Sequence, residues 1–275
     1  MRLENLPQTP NERLRQTEAN LRRWKYPRLG WPLPDRLGTV AIVGFGTTLS
    51  RTWEGARDCD AVCTTSGAHD FLIERGVVPN YHVEIDPREH KAFFLRHSHP
   101  QVHYLIADTC HLKLWAQLYA KKRRVTMWHG WSDEDKDRQI ALVKRYEPNA
   151  ALLSGGTNAG LRAAIVMRHI GFRKFMLFGI DCCYEGDQEW AGPHSGKKHS
   201  KVKVRVAGRV FSTSDVMMQA TDDFFNQMFS TPGCAFGITG DGLLATRFEI
   251  YKRDRTLACS SRWWEPVDFT LREPA

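Results

Sequence analysis

Long apolar segments are missing from this chain of 275 residues. It has no run of about eighteen apolar residues, the length that a membrane-spanning helix needs. Its first residues, MRLENLPQTPNERLRQ, also lack the apolar core of a signal peptide. The sequence therefore predicts a cytoplasmic protein that has no membrane partner.

Metal-ligand spacing and internal linkers are missing as well. The seven cysteines are scattered, and their one adjacent pair, Cys182 and Cys183, is closer than the CxxC spacing of metal ligands. We expect reduced thiols and no bound metal. The middle of the chain has no low-complexity tract and no Gly/Ser-rich linker, which favours one continuous domain over residues 37–275.

The chain carries an excess of positive charge. Its formal net charge is +8 at pH 7 and its pI is near 9.2. Such a charge favours anionic partners, namely a nucleotide, a phosphorylated substrate or a nucleic acid. Net charge alone does not choose among these three.

Residues 1–36 differ in composition from the rest and are assigned to an N-terminal arm. They contain five of the thirteen prolines, placed around a polar segment at 11–24. The pattern of that segment predicts a helix capped by Asn11, with Leu21 and Trp24 on one side and Arg13 and Arg15 elsewhere. The arm is expected either to dock on the domain or to bind a polyanion through its arginines.

Several short β-branched runs end in polar or glycine-rich turns. The run TVAIV leads into GFGTT at 44–48, which lacks the third glycine of the dinucleotide-binding fingerprint. A second run precedes TTSG at 64–67, and a strand at 81–85 precedes Asp86. Asp86 is also suited to cap a helix, because Pro87 follows it. Since the carboxyl ends of parallel strands meet at one edge of a sheet, we expect these turns to converge there.

The stretch at 152–184, LLSGGTNAGLRAAIVMRHIGFRKFMLFGIDCCY, has the order of a nucleotide-binding half-unit. It predicts a tight turn at 154–156, a helix at 157–169 ended by Gly171, a buried strand at 174–179, and Asp181 after that strand. Glycines let a backbone approach a phosphate, and the N–H groups at a helix start attract anions. This stretch therefore indicates nucleotide binding.

Downstream of that stretch the pattern is mixed. The segment EGDQEWAGPHSGKKHSK at 185–201 is dense in ionisable groups and is expected to form an active-site lid or loop. A hairpin is predicted at 202–211, followed by a helix capped by Thr213 or Ser214 and a last strand at 234–238. The tail with Trp263 is expected to pack back across the domain.

Four segments together resemble a known family: VGFGTTLS, TTSGAHDFLIERGVVPNYHVEIDP, the stretch at 152–184 and CAFGITGDGLLA. They are similar to the MptE-like domain shared by archaeal 6-hydroxymethyl-7,8-dihydropterin pyrophosphokinases and motility accessory factor glycosyltransferases. The stretch at 152–184 also resembles family 42 bacterial sialyltransferases. The resemblance spans roughly Gly38 to Ala245. It implies an α/β fold that is Rossmann-like, with a mostly parallel sheet, helices on both faces and a sialyltransferase-like variant of the GT-A arrangement.

The resemblance also implies a donor site and catalytic residues. The residues that it places around the donor are Gly44, Gly46 and Thr47 at the phosphates, Thr65 and Ser66 near the base or ribose, Ser154, Gly155, Gly156 and Thr157 against the nucleotide, and Asp181 near the ribose. Tyr184 is implied to hydrogen-bond the leaving phosphate. His194 or His199 is implied as the base, and the sequence leaves both open. Glycine-turn N–H groups, Lys197 and Lys198 would stabilise the departing phosphate.

Three functions follow from these expectations. The leading one is transfer of a sugar from a CMP-type or other nucleotide sugar to an acceptor hydroxyl, including one on a macromolecule such as modified nucleic acid, with a histidine as the base. The alternative is ATP-dependent pyrophosphoryl transfer to a pterin-like alcohol, in which Asp86 and Asp181 would hold Mg²⁺. A non-enzymatic module that binds nucleotide or nucleic acid is the third.

Overall fold

The computed structural model describes residues 8–131, 135–192, 200–228 and 231–267. Its strands are Thr39–Val43 (β1), Ala61–Thr65 (β2), Tyr81–Glu84 (β3), His103–Ala107 (β4), Arg124–Gly130 (β5), Leu152–Leu153 (β6), Lys174–Phe178 (β7), Val202–Val206 (β8), Arg209–Thr213 (β9), Ala235–Ile238 (β10) and Glu265–Pro266 (β11). Its α-helices are Pro10–Arg23 (α1), Leu49–Thr52 (α2), Ala68–Ile73 (α3), Leu112–Ala120 (α4), Lys136–Tyr146 (α5), Ala159–His169 (α6), Asp215–Asp223 (α7), Leu243–Arg253 (α8) and Arg255–Cys259 (α9). Short 3₁₀ helices lie at Trp53–Asp58 and Glu89–Leu95, and a π-helical turn lies at Phe224–Met228.

The main sheet is parallel throughout its described pairings. Its eight described strands have the order β10-β7-β1-β2-β3-β4-β5-β6. The chain thus runs outward from β1 to β6 and then returns so that β7 pairs with the other side of β1. Strand order reverses between β1 and β7, and in open α/β sheets ligands bind outside the carboxyl ends of the strands at such a point.

Both faces of β1 are buried, because helices cover both sides of the sheet. Successive residues of a strand point to opposite faces. Val40 and Ile42 accordingly join the large apolar cluster that contains Leu161 of α6, whereas Ala41 and Val43 join a second cluster with residues of α3. The α/β prediction, with a mostly parallel sheet between helices, is confirmed.

The N-terminal arm docks on the domain, and its helix differs from the prediction. Thr9, not Asn11, caps α1, because the Thr9 side chain accepts from the Glu12 N–H while the Glu12 carboxylate accepts from the Thr9 N–H. Arg13 is buried, not solvated. Leu21 and Trp24 enter the core, and residues 27–29 hydrogen-bond to Met127 of β5.

A buried charge network, here called the His129 cluster, ties the arm to the sheet. It consists of Arg28, Asp108, His129 and Glu147. The His129 ring nitrogens lie 2.8 Å from Asp108 Oδ2 and 2.9 Å from Glu147 Oε2, and Arg28 Nε donates to Glu147 Oε1. Burial alone would lower the pKa of His129, but its hydrogen bonds to the two carboxylates raise that pKa to about 9.

A small antiparallel sheet packs against Leu243 of α8. The predicted hairpin is present as β8 and β9, and its two turn residues, Ala207 and Gly208, both have positive φ, as in the common two-residue hairpin turn. Tail strand β11 pairs with β8, and Trp263 is buried against this sheet. The predicted return of the tail is therefore present. Across the described ranges, each helix is too short or too polar to cross a bilayer.

Candidate functional site

A cleft of about 400 Å³ opens at the carboxyl edge of the main sheet, where strand order reverses. Its walls come from the turns after β1, β2, β3, β5 and β7, from the start of α6, and from parts of α1 and α7. Eight residues assigned to the site from sequence line it: Gly44, Gly46, Thr65, Ser66, Asp86, Gly156, Thr157 and Asp181. The expected convergence of strand-end turns is therefore seen in the structure.

Other residues assigned to the site lie elsewhere. Thr47, Ser154, Gly155 and Tyr184 are not among the described residues that line the cleft. Thr47 is buried behind the wall, and Ser154 and Gly155 lie in the turn between β6 and α6. Tyr184 pairs with Ser212 of β9, which carries it to the small sheet and away from the described cleft wall. His194, His199, Lys197 and Lys198 lie outside the described residues.

The turns after β1 and β7 interlock around one carboxylate, an arrangement here called the Asp181 clamp. Asp181 accepts hydrogen bonds from the Thr48 N–H at 2.8 Å, from Thr48 Oγ1 at 2.5 Å and from Thr47 Oγ1 at 3.3 Å. Burial nevertheless raises the pKa of Asp181. Thr47 therefore holds Asp181, although we expected its side chain at a donor phosphate.

Glycine is required in this clamp because backbones approach closely. A Cβ on Gly46 would lie 2.5 Å from Asp181 Oδ2, and one on Gly44 would lie 2.6 Å from the Gly179 carbonyl oxygen. We expected these glycines to make room for a phosphate. Both line the cleft, but contact between the β1 and β7 turns already accounts for the absence of their side chains.

The start of α6 offers N–H groups to the cleft. Asn158 caps the helix by accepting from the Leu161 N–H at 2.9 Å, so the helix begins two residues later than predicted. Ala159 and Gly160 line the cleft in the first turn, where backbone N–H groups have no partner within the helix. Gly156 has φ +75°, and a Cβ there would lie 2.6 Å from the backbone nitrogen of Arg162. This end of the cleft is suited to an anion.

The described lining of the cleft also includes four cationic side chains: Arg13, Arg88, Lys91 and Arg162. Three of them are nearly inaccessible, with exposed fractions of 3% for Arg13, 5% for Lys91 and 2% for Arg162. Arg13 pairs with Asp135 at 3.3 Å, and Arg162 donates to the Leu153 carbonyl at 3.2 Å. Burial of a cation is costly without compensating charge, and the carboxylates of Asp135 and Asp86 supply part of it for Arg13 and Lys91. The cleft wall therefore brings cationic side chains next to the start of α6.

The turns after β2 and β3 form what we call the Lys91 cluster: Ser66, Asp86, Arg88 and Lys91. Lys91 Nζ lies 2.7 Å from Ser66 Oγ and 3.4 Å from Asp86 Oδ2, and Arg88 binds both oxygens of Asp86. Ser66 adopts φ +50°, a left-handed conformation that is strained for a residue other than glycine. Burial would raise the pKa of Asp86, but Lys91 and Arg88 lower it to about 2. Asp86 thus remains an anion between two cations.

These contacts bear on the Mg²⁺ pair expected for a pyrophosphokinase. Asp86 already faces two cations, and Asp181 already accepts from two threonines, so the two carboxylates fit poorly as a shared metal site. Across the described ranges, no group of three or more His, Cys, Asp or Glu side chains is arranged to hold a metal ion. We therefore assign no chemical step to Mg²⁺.

Sequence patterns did not point to Glu189, which lines the cleft beside Trp190. The segment 185–201 attracted attention only for its charge and its histidines. In the structure, Trp190 pairs with Gly46, and the Ala191 N–H donates to the Phe45 carbonyl at 3.0 Å, so this part of the segment is tied to the β1 turn. Burial raises the pKa of Glu189 to about 7, although Arg88 acts to lower it. In the sequence, the position of Glu189 next to Trp190 was the one feature that could have drawn attention to it.

Comparison with known proteins identifies the family. The model of the family described as "6-hydroxymethylpterin diphosphokinase MptE-like" matches residues 36–187, more than half of the chain. This chain belongs to the MptE-like family. The MptE-like resemblance inferred from sequence is thereby confirmed, and three of its four segments lie within the match. The match covers the Asp181 clamp and the Lys91 cluster, whereas Arg13 and Glu189 lie outside it.

A solved structure supports the fold. The chain is similar to the structure of "MAf glycosyltransferase from Magnetospirillum magneticum AMB-1", with a TM-score of 0.60 and 12% sequence identity. The similarity covers 88% of this chain but 41% of that one, so this chain spans about two fifths of its neighbour's length. At this identity the similarity shows the fold alone. A search among curated proteins found no match.

Proposed function

We propose that this MptE-like protein is a transferase that binds a nucleotide-activated donor in the cleft and passes the activated group to a hydroxyl. The observation that carries the proposal is the concentration of buried cations, Arg13, Lys91 and Arg162, in a cleft that also receives the start of α6. Cations and helix N–H groups together are suited to phosphate. The family and the fold of a named glycosyltransferase support group transfer.

The donor is proposed to be a nucleotide sugar of the CMP type or a related kind. Departure of a nucleotide leaves negative charge on its phosphate, and a transferase must stabilise that charge. Arg88, Lys91 and Arg162 are positioned to do this with protein cations. Phe45, Trp131 and Trp190 add flat apolar surface to the same cleft, which is suited to a base or a sugar ring.

A second candidate is diphosphoryl transfer from ATP to a small alcohol. The description of the matching family model favours it, since that description names a 6-hydroxymethylpterin diphosphokinase. The occupied carboxylates of Asp86 and Asp181 count against a metal held by that pair. We therefore place this reaction second.

A thermal denaturation series separates the two candidates. The ligands are CMP, UDP, GDP, AMP and ATP, each with EDTA or with Mg²⁺, and the matching nucleosides without phosphate serve as controls. We expect a nucleoside mono- or diphosphate to stabilise the protein in EDTA, by about 2.7 kcal/mol at a concentration one hundred times its Kd. Stabilisation by ATP with Mg²⁺ alone would favour the diphosphokinase. No stabilisation by any nucleotide would contradict both.

A further inference from the structure

Among the described residues, three acidic side chains line the cleft, and they differ in what they contact. Asp86 is bound by Arg88 and Lys91, and Asp181 is bound by Thr47 and Thr48. Glu189 is the third. Its Oε2 is enclosed and, within the described part of the chain, has no hydrogen-bond partner. Since the other two carboxylates are held by protein donors, Glu189 is, among the described acids of the cleft, the one left to accept a proton.

We propose that Glu189 is the general base of the transfer reaction, an assignment that rests on the proposed function. The acceptor hydroxyl oxygen forms a bond to the transferred atom, which is the anomeric carbon of the sugar donor. The bond from that carbon to the donor phosphate oxygen breaks, and its electron pair leaves with the nucleotide. The hydroxyl proton passes to the Glu189 carboxylate. If the donor is ATP, the acceptor oxygen bonds to the β-phosphorus, the bond from that phosphorus to the oxygen shared with the α-phosphate breaks, AMP leaves, and the proton follows the same path.

Anchors on both sides fix the backbone around Glu189. Before it, Glu185 and Gln188 exchange backbone hydrogen bonds of 2.9 and 3.0 Å, which close a tight turn. After it, Trp190 pairs with Gly46 of the β1 turn. A base must stand at a defined distance from the proton that it removes, and these anchors supply that position.

The surroundings of Glu189 also suit a base that works near neutral pH. The side chain is partly buried, and no described residue donates a hydrogen bond to its enclosed oxygen to stabilise the negative charge. Burial accordingly raises its pKa to about 7, with Arg88 acting in the opposite direction. Asp86, with a pKa of about 2, is too weak a base for the same role. No histidine is found among the described residues that line the cleft.

The test compares Glu189→Gln and Glu189→Asp with the wild type. Glu185→Gln is the matched control, because Glu185 contributes its backbone, and not its side chain, to the turn before Glu189; that side chain is exposed and pairs with Arg51 outside the cleft. Turnover is measured as release of nucleotide from CMP-N-acetylneuraminate, UDP-N-acetylglucosamine and ATP, with water or glycerol as the acceptor hydroxyl. Binding of CMP, UDP and ATP is measured separately by calorimetry. The side-chain carboxyls are titrated by ¹³C NMR.

We expect Glu189→Gln to lower turnover by about 100-fold or more while nucleotide affinity is unchanged. Glu189→Asp should restore part of the rate, and Glu185→Gln should match the wild type. The wild-type rate should fall on acidification through about pH 7, together with one carboxyl signal that Glu189→Gln lacks. Full turnover by Glu189→Gln, or titration of the Glu189 carboxyl at its ordinary acidic pKa, would overturn the base assignment alone. A wild type that neither binds nor releases any nucleotide would overturn the proposed function and the base with it.

Discussion

Two clusters of buried charge lie at the same edge of the sheet, and they differ in what they face. The His129 cluster joins the ends of β4 and β5 to the N-terminal arm, and His129 and Asp108 are completely inaccessible. The Lys91 cluster follows β2 and β3 and borders the cleft. In the first cluster charge meets charge inside the fold, which ties segments together. In the second, the charges also face a space that a ligand can enter. Proximity to a cavity, and not charge density, separates a candidate binding site from a structural network.

The largest effect on stability is expected from a substitution that disrupts the His129 cluster. His129→Gln removes the cation that Asp108 and Glu147 share; Glu147 keeps Arg28, but the buried Asp108 loses its ion-pair partner. We expect the free energy of unfolding at pH 6 to fall by about 3 kcal/mol or more. Urea denaturation measures this loss. The folded variant should still bind nucleotide with unchanged affinity. A variant as stable as the wild type would contradict the structural role.

The same cluster predicts how stability depends on pH. The folded pKa of His129 is raised from 6.5 to about 9, so its contribution is complete below pH 6.5 and is lost as pH rises through about 9. Burial would raise the pKa of Glu147, but bonds from His129 and Arg28 lower it from 4.5 to about 2, so its contribution is lost as pH falls toward 2. A difference of one unit between the folded and unfolded pKa of a group corresponds to about 1.4 kcal/mol in the free energy of unfolding.

The stability gap between wild type and His129→Gln should therefore narrow between pH 6.5 and 9. His103→Gln is the matched control, because His103 lies on the neighbouring strand and burial, with help from Arg124, lowers its pKa to about 4. The His103 ring is neutral between pH 6.5 and 9, so the stability difference between His103→Gln and the wild type should stay constant over this interval. Equal slopes for the two variants would count against an imidazolium at His129.

A smaller effect is expected from a substitution in the Lys91 cluster, and it should reduce nucleotide affinity more than stability. Lys91→Met keeps the apolar stem but removes the ammonium group that contacts Ser66 and Asp86. We expect nucleotide affinity to fall roughly 10- to 100-fold, the range for a lost hydrogen bond from a charged group. Stability should change less than in His129→Gln, because Asp86 keeps Arg88. Lys113→Met, at an exposed lysine paired with Glu89, should leave affinity unchanged.

The smallest effect is expected on the exposed side of α1. Arg15 and Arg23 are exposed, unlike Arg13 on the same helix. Replacing both by glutamine should change the free energy of unfolding by less than about 0.5 kcal/mol and leave nucleotide affinity unaltered. Calorimetry and urea denaturation check this. Weaker nucleotide binding would mean that the arm contributes to the cleft through more than Arg13.

The fold was predictable because its signals are local and periodic. Buried β-branched runs, such as TVAIV at 39–43, specify strands, and Gly171 and Gly208 specify where chain segments turn. The reason for Gly44 and Gly46 was not predictable. A sequence does not distinguish a glycine that makes room for a ligand from one that makes room for another part of the backbone. Only the positions of Gly179 and Asp181 in the structure show that Gly44 and Gly46 make room for the β7 turn.

The charged residues of the site were harder to identify, because long charged side chains usually lie in solvent. Arg13 falls in a helix that was predicted to place it away from the apolar side, yet tertiary packing buries it in the cleft wall. Lys91 follows Asp86 by five residues, and only the 3₁₀ helix at Glu89–Leu95 turns its side chain back to Ser66. Glu189 depends on a bridge between Trp190 and Gly46, which are far apart in sequence. Such contacts are set by topology and leave no periodic pattern.

A crystal structure of the protein with CMP, or with the nucleotide that stabilises it most, tests the central claim most directly. We predict that the phosphate lies between the first turn of α6 and the Arg88–Lys91 side of the cleft, within hydrogen-bonding distance of at least one of these groups. A nucleotide bound outside this cleft, or bound inside it with its phosphate directed to solvent, would contradict the account.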